Sequence, residues 1–430
     1  MDTGLKRFKA VLIVAGGNFL EMYDFMVYGY YAAIIAQVYF PSGDPYASTM
    51  ASLAAFGAGF IMRPLGALFL GAVLDRHGRR NGLLITLGLM AVGTLTIALT
   101  PGYATIGIAA PLLVLLGRLV QGLSAGVEVG GVSVYLSEIA TPKNKGFYVS
   151  WQSASQQVAV IFAAVIGFIV SSSLTREEMI AWGWRVPFYV GCALIPFLLF
   201  IRSRLAETPD FLARETRPTT REIFRTIGAN WQVVTLGMMM ATLTTVGFYT
   251  ITAYTPTYAS TTLKLPLDTA FFVTLCVGIS NFVLLPTAGA ISDRIGRLPL
   301  LIGAALVALL TAYPALRWLV ASPSLVRLLV VQLWISILYA AYNGAMIVYL
   351  TEVMPRHVRT SGFSLAYSLA TAIFGGFTPL IATWLIAATN DKAAPGLWLS
   401  GAALLGLIGA LLLRRRQGRE GNASRSGAVP

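Results

Sequence analysis

GAVLDRHGRR at residues 71–80 returns as GAISDRIGRL at residues 289–298, and YLSEIATP at 135–142 returns as YLTEVMPR at 349–356. One short match could arise by chance. Two at nearly the same offset mark an internal duplication, in which the second part of the chain repeats the plan of the first. Each copy falls at the same point in an alternation of long apolar runs and short polar connections. The D-R-x-G-R segments follow the second run of their half, and the Y-L-x-E segments end the fourth.

The runs lie near 10–39, 49–74, 82–100, 108–138, 147–172, 184–203, 229–258, 268–290, 298–318, 325–352, 359–387 and 397–413. Most reach the roughly 20 residues that a membrane-crossing helix requires. The composition agrees: 56% of the 430 residues are apolar and only 11% are charged, against about 25% charged in an ordinary soluble domain. Disorder is excluded by the same figures, and a β-barrel would show weaker, alternating segments. The expected fold is an all-α polytopic membrane protein, with 12 transmembrane helices in two pseudo-symmetric six-helix bundles. Two parallel halves are the pattern of a rocking transporter. The expected organisation is an N-terminal bundle over 1–203, a polar linker over 204–228, a C-terminal bundle over 229–413 and a polar, disordered tail over 414–430.

The net charge of +13 is explained by topology. Of the Lys and Arg residues, 23 fall on the side of the N-terminus and 6 on the other, which predicts that both termini are cytoplasmic. No nucleic-acid partner is needed. The first run follows a basic start, carries Asn18, Glu21 and Asp24, and continues to Phe40, so it reads as a retained span and not a cleaved signal. Cys192 and Cys276 stand alone in apolar runs, and His77 and His357 fall in polar loops. No cysteine–histidine metal cluster and no Gly-Lys phosphate loop is written in the chain, and the expectation is a protein that is not an enzyme and holds no cofactor.

The motifs carry a family resemblance. Gly71, Asp75, Arg76, Gly78, Arg79 and Arg80 between the second and third runs, and Arg118-Leu-Val-Gln121-Gly122 in the fourth, resemble signatures of the major facilitator superfamily. Asn18-Phe-Leu-Glu21-Met-Tyr-Asp24-Phe and Arg63-Pro64-Leu65-Gly66 are similar to the metabolite:proton symporters within it. The stretches 131–159 and 361–379 resemble the citrate and tricarballylate symporters. The resemblance implies uptake of a tricarboxylate across the bacterial inner membrane, by symport with H⁺ or Na⁺, with a dicarboxylate such as 2-oxoglutarate or a compatible solute such as proline or betaine as the alternative. It further implies a small-molecule substrate, a lipid bilayer and a functional monomer. Drug exporters of the superfamily carry G-x-x-x-G-P in the fifth span, and its absence from 147–172 favours import.

Five ionisable residues fall well inside the runs: Glu21, Asp24, Arg63, Arg118 and Glu128. Charges at that depth are costly and need a partner, a wet cavity or a function. At 1.5 Å rise per residue, Arg63 lies about 18 Å from the Asp75 end and Arg118 about 15 Å from the opposite end. Two guanidiniums at one depth suit a polycarboxylate, which each can grip with paired hydrogen bonds. The competing role for both is a structural bridge to Glu21, Asp24 or Glu128. The duplication maps Arg63 onto Asn281 and Arg118 onto Gln332, so the second half keeps polarity and drops charge. Neutral candidates for substrate contact are Asn281, Asn343, Tyr249 and Tyr339, with Gln156 and Ser155 in the fifth run and Tyr28 in the first.

Glu21 and Asp24 share one helical face, being three residues apart. With no buried histidine, Glu21, Asp24 and Glu128 are the candidate carriers of a coupling proton, with Asn18 in support. The same carboxylates could instead hold Na⁺, a hard cation that prefers oxygen ligands; no firm metal site is written. Asp75, Arg79 and Glu138, with their repeats Asp293, Arg297 and Glu352, fall at helix ends, where the resemblance implies ion pairs that hold the halves shut.

Overall fold

The computed structural model describes residues 19–77, 79–126, 132–134, 136–137, 140–203, 228–354 and 359–426. Twelve helical segments carry the fold among them. In the first half these are α1 (Phe19–Tyr30, continued as Ala32–Tyr39), α2 (Pro45–His77), α3 (Arg79–Leu99), α4 (Ala109–Ser124), α5 (Lys145–Ser173) and α6 (Val186–Ser203). The second half has α7 (Trp231–Ile251), α8 (Leu267–Ile295), α9 (Arg297–Ala321), α10 (Leu325–Val353), α11 (Arg359–Ala370, resumed as Thr378–Thr389) and α12 (Pro395–Ser426). Seven of the described helices are long and apolar enough to cross a membrane. The two-bundle helical fold expected from the duplication is therefore present.

Three departures are informative. His77 ends α2 and is not in a loop, while His357 lies outside the described residues. The fourth helix pauses after Ser124, and helix is present again at 132–134 and 136–137, within the expected run to 138. The helix of the twelfth run does not stop at 413 but continues to Ser426, so the expected disordered tail is helical there. Arg, Gln and Glu propagate a helix well, and arginines near a helix C-terminus complement its negative end.

Close backbone approach between helices is written in glycine. A Cβ on Gly122 of α4 would overlap the carbonyl of Gly59 on α2. Between the halves, Gly146 at the start of α5 and Gly289 near the end of α8 meet the same way. The two helices run antiparallel: Trp151 meets Phe282 edge-to-face at 5.7 Å between ring centroids, and Gly167 faces Phe271. The halves also meet where Gly29 of α1 faces Ala253 and where Gly376 faces Phe60 of α2. Near these contacts α7 ends in a turn at 252–254, beyond which a π-helical segment follows at Tyr258–Thr262, and α11 is interrupted by a π-helical turn at Thr371–Gly375.

Candidate functional site

Spacing along α1 places Glu21, Asp24, Phe25 and Tyr28 on one buried face, as residues three and four apart stack on a helix. All four are buried. Arg63 comes from α2 and Arg118 from α4, both buried as well. The guanidiniums lie against a single ring: Arg63 is 4.5 Å and Arg118 4.4 Å from the centroid of Phe25. Phe60 adds a second face to Arg63 at 4.7 Å. Tyr28 and Phe56 do so for Arg118, at 4.7 and 5.2 Å. Aromatic faces attract cations, more strongly where water is excluded. These walls hold two positive charges close together inside the bundle.

The two carboxylates have different partners. Glu21 pairs with Arg63, Oε1 to Nη2 at 3.2 Å. Asp24 reaches Arg118 through two intermediaries. Arg118 Nη1 donates to Gln121 Oε1 at 2.7 Å, Gln121 Nε2 donates to Thr94 Oγ1 at 3.1 Å, and Thr94 Oγ1 donates to Asp24 Oδ2. Arg118 Nη2 also donates to the Phe56 carbonyl at 3.3 Å. Asp24 Oδ1 and the Nε atoms of both arginines have no hydrogen-bond partner among the described residues.

An aromatic chain joins this cluster to the second half. Phe25 meets Phe60 at 4.6 Å, Phe60 meets Tyr249 at 5.0 Å, Tyr249 meets Phe248 at 5.1 Å, and Phe248 meets Tyr339 at 6.0 Å. Asn343 Nδ2 donates to Tyr339 Oη at 3.4 Å. Arg63, Arg118, Glu21, Asp24, Tyr28, Tyr249, Tyr339 and Asn343 thus form one continuous set. Asn281 belongs to α8, and Gln156 and Ser155 belong to α5. Both amide atoms of Asn281 are buried without a hydrogen-bond partner, as are Gln157 Oε1 and Gln152 Nε2. Ser155 is only half-buried, and its hydroxyl returns to the Gln152 carbonyl at 2.8 Å.

The helix-end residues make a second cluster. Asp293 accepts from the Gly146 and Phe147 amides, at 2.8 and 3.0 Å, capping the N-terminus of α5 from the other half. Arg297 pairs with Asp293 at 2.7 Å and with Glu352 at 3.6 Å, and Lys145 reaches Glu352 at 3.9 Å. Asn18, Glu128 and Glu138 lie outside the described residues. Asp75 and Arg79 have helical backbone, but their side chains fall outside the description.

Sequence reasoning missed Phe25, Phe60, Thr94 and Lys145 and assigned no role to Gln121. Phe25 was detectable at four residues from Glu21, and Gln121 at three from Arg118. Thr94 and Lys145 carried no signal of their own.

The sequence profile of the sugar (and other) transporter family matches residues 9–219 and again 213–412. A citrate-proton symporter of Salmonella typhi is 56% identical over 412 residues, covering 96% of this chain and 95% of that protein. One from Klebsiella pneumoniae is 54% identical over 413 residues, covering 96% and 93%. In solved structures the same fold occurs in a D-xylose-proton symporter, with a TM-score of 0.75 at 20% identity over 94% of this chain and 97% of that one.

Proposed function

The chain belongs to the sugar (and other) transporter family, and on that premise we propose that it imports citrate together with protons across the bacterial inner membrane. Relatives more than half identical over nearly their whole length bear the name citrate-proton symporter, which supports this reading over a smaller carboxylate or a zwitterion. The observation that carries it is the pair of buried guanidiniums sharing the Phe25 ring. A zwitterion needs one cation; a polycarboxylate uses two.

Arg118 is the primary anion contact, because no carboxylate touches its guanidinium directly among the described residues. Arg63 is partly neutralised by Glu21 and serves as the second. Tyr28, Tyr249, Tyr339 and Asn343 present neutral groups to them, and Asn281 of α8 with Gln156 and Ser155 of α5 supply further polar contacts to the substrate. Asp24 holds the coupling proton at Oδ1, the oxygen left unpartnered. Glu21, Asn18 and Glu128 support it, and the coupling ion is H⁺ and not Na⁺. The Asp293 cluster closes the cytoplasmic end, Arg297 and Glu352 with it, and the first-half copies Asp75, Arg79 and Glu138 act in parallel. Both termini face the cytoplasm. Alternating access follows when these contacts release and the halves rock.

The test is uptake of radiolabelled citrate by proteoliposomes under an imposed proton gradient and, separately, an imposed sodium gradient. Accumulation is expected with the first alone, and Arg118→Ala should abolish it in a folded protein. Uptake by that variant with unchanged affinity would overturn the assignment, and accumulation driven by sodium alone would overturn the choice of ion.

A further inference from the structure

We propose that Thr94 and Gln121 are positioning residues, forming a one-way hydrogen-bond relay through which proton occupancy of Asp24 sets how tightly Arg118 binds an anion. The proposal rests on the reading of Arg118 as the anion contact and Asp24 as the proton site. It adds the physical link between them.

The direction of the relay is forced by chemistry. A guanidinium only donates hydrogen bonds. Gln121 must therefore turn Oε1 toward Arg118, which leaves Nε2 to donate to Thr94 Oγ1. The Thr94 oxygen is then an acceptor from Gln121, and its own proton is free to go elsewhere. Two acceptors compete for it: Asp24 Oδ2 and the Met90 carbonyl, at 3.0 Å. All four side chains are buried, so water does not substitute for a lost bond.

With Asp24 ionised, its carboxylate wins the Thr94 proton, because a charge-assisted bond is about twice as strong as a neutral one. Every donor then points from Arg118 toward Asp24, and the guanidinium is held at Gln121. A proton arriving from the aqueous phase forms an O–H bond at Asp24 Oδ1, beside Gly191, where a Cβ would come within 3.0 Å of that oxygen. Oδ2 becomes a neutral acceptor, and the Thr94 hydroxyl turns to Met90. The tether slackens and the opposing charge is gone, so Arg118 is released to a substrate carboxylate. Loss of the proton reverses each step. By linkage the anion favours proton binding by the same factor as the proton favours the anion, which is the coupling a symporter requires.

The other titratable groups facing Asp24 are Tyr23 on α1, Arg118 on α4 and Cys192 on α6. The Arg63–Glu21 pair sits beyond the Phe25 ring.

The experiment is equilibrium citrate binding to the purified full-length protein by calorimetry, across the neutral to mildly acidic range. Wild type should tighten on acidification by a factor of about 5–150, the usual span of coupling between sites. Thr94→Val, nearly the same shape without the hydroxyl, and Gln121→Met should bind citrate with only the pH dependence that the ionisation of citrate itself imposes, so that the extra tightening seen in the wild type is lost. Thr94→Ser should restore the wild-type slope. A Thr94→Val protein with the wild-type slope overturns the relay, as does a wild type whose affinity ignores pH. A wild type that does not bind citrate at any pH overturns the proposed substrate itself, so the two failures are distinguishable. Should Thr94→Val not fold, Gln121→Met and Thr94→Ser decide on the same criterion.

Discussion

Arg63 Nη2 lies 3.2 Å from Glu21 Oε1, and both side chains are almost wholly buried. Inside a low-dielectric bundle such a pair contributes little net stability, but removing one partner strands the other charge, typically at about 3–5 kcal/mol. Arg63→Met should therefore lower the thermal unfolding temperature sharply. Adding Glu21→Gln should recover part of the loss, because the negative charge that faced Arg63 disappears with it. Thermal denaturation of the three proteins in detergent measures this directly. Equal destabilisation by the single and double variants would mean that the pair does not act as a unit.

Phe25 carries a different prediction. Its ring lies under both guanidiniums, where it offsets part of the cost of burying them and fixes their separation. Phe25→Leu keeps apolar bulk and removes the ring face. A desolvated cation–aromatic contact is worth up to about 2 kcal/mol, so citrate affinity should weaken by about tenfold or more. The secondary structure, followed by circular dichroism, should stay unchanged. Calorimetric titration checks the affinity, and an unaltered Kd would reduce Phe25 to packing.

The site was legible in the sequence only where chemistry is expensive. Arg63, Arg118, Glu21 and Asp24 stand out because charge inside an apolar run needs a reason, and all four converge in the fold. The Asp293–Arg297–Glu352 cluster was legible because it repeats. Thr94 was not, because a threonine in a membrane helix usually bonds back to its own turn; what distinguishes it is the arrival of Gln121 and Asp24 from two other helices. Pairings were equally hidden. Glu21 and Asp24 are near neighbours in sequence, yet one meets Arg63 directly and the other reaches Arg118 only through two side chains. That division depends on how α2, α3 and α4 rotate about α1, which no single run encodes. The helical extension of α12 past Arg414 was missed because polarity was read as disorder, although its arginines suit a helix C-terminus.

Asp391, in the connection between α11 and α12, gives a pH prediction outside the membrane-spanning segments. The Ala393 amide donates to its carboxylate at 3.0 Å and the Tyr313 hydroxyl at 2.8 Å, with Arg317 at 3.4 Å. The Ala393 amide first, with help from Tyr313 and Arg317, holds the Asp391 pKa below its usual value. A depressed value in the folded state stabilises above the unfolded value of about 3.9, and the contribution is lost as pH falls through the folded one. Asp391→Asn should therefore unfold at a lower temperature than wild type at neutral pH. The gap should narrow as the pH is taken below about 4. A gap constant across that range would show that the ionised carboxylate contributes nothing there.

Asp293 touches the other half of the molecule through backbone amides. Its carboxylate accepts from Gly146 and Phe147 at the start of α5, where the helix dipole favours negative charge by about 0.3–2 kcal/mol. Arg297 pairs with Asp293 and with Glu352, which Lys145 also reaches. Asp293→Asn keeps the shape but loses the charge, and its amide has one oxygen where two were engaged. The expected result is a shift toward a state open at this end, with the Gly146–Gly289 contact released. Spin labels on Tyr148→Cys and Ile295→Cys, introduced after Cys192 and Cys276 are replaced by serine, report it by pulsed dipolar spectroscopy. The long-distance population should grow in Asp293→Asn, and fall back when citrate and acid pH together favour the occluded form. The same distance distribution with and without the substitution would remove Asp293 from the gate. It would leave the α5–α8 glycine contact as the element that sets how far the halves can part.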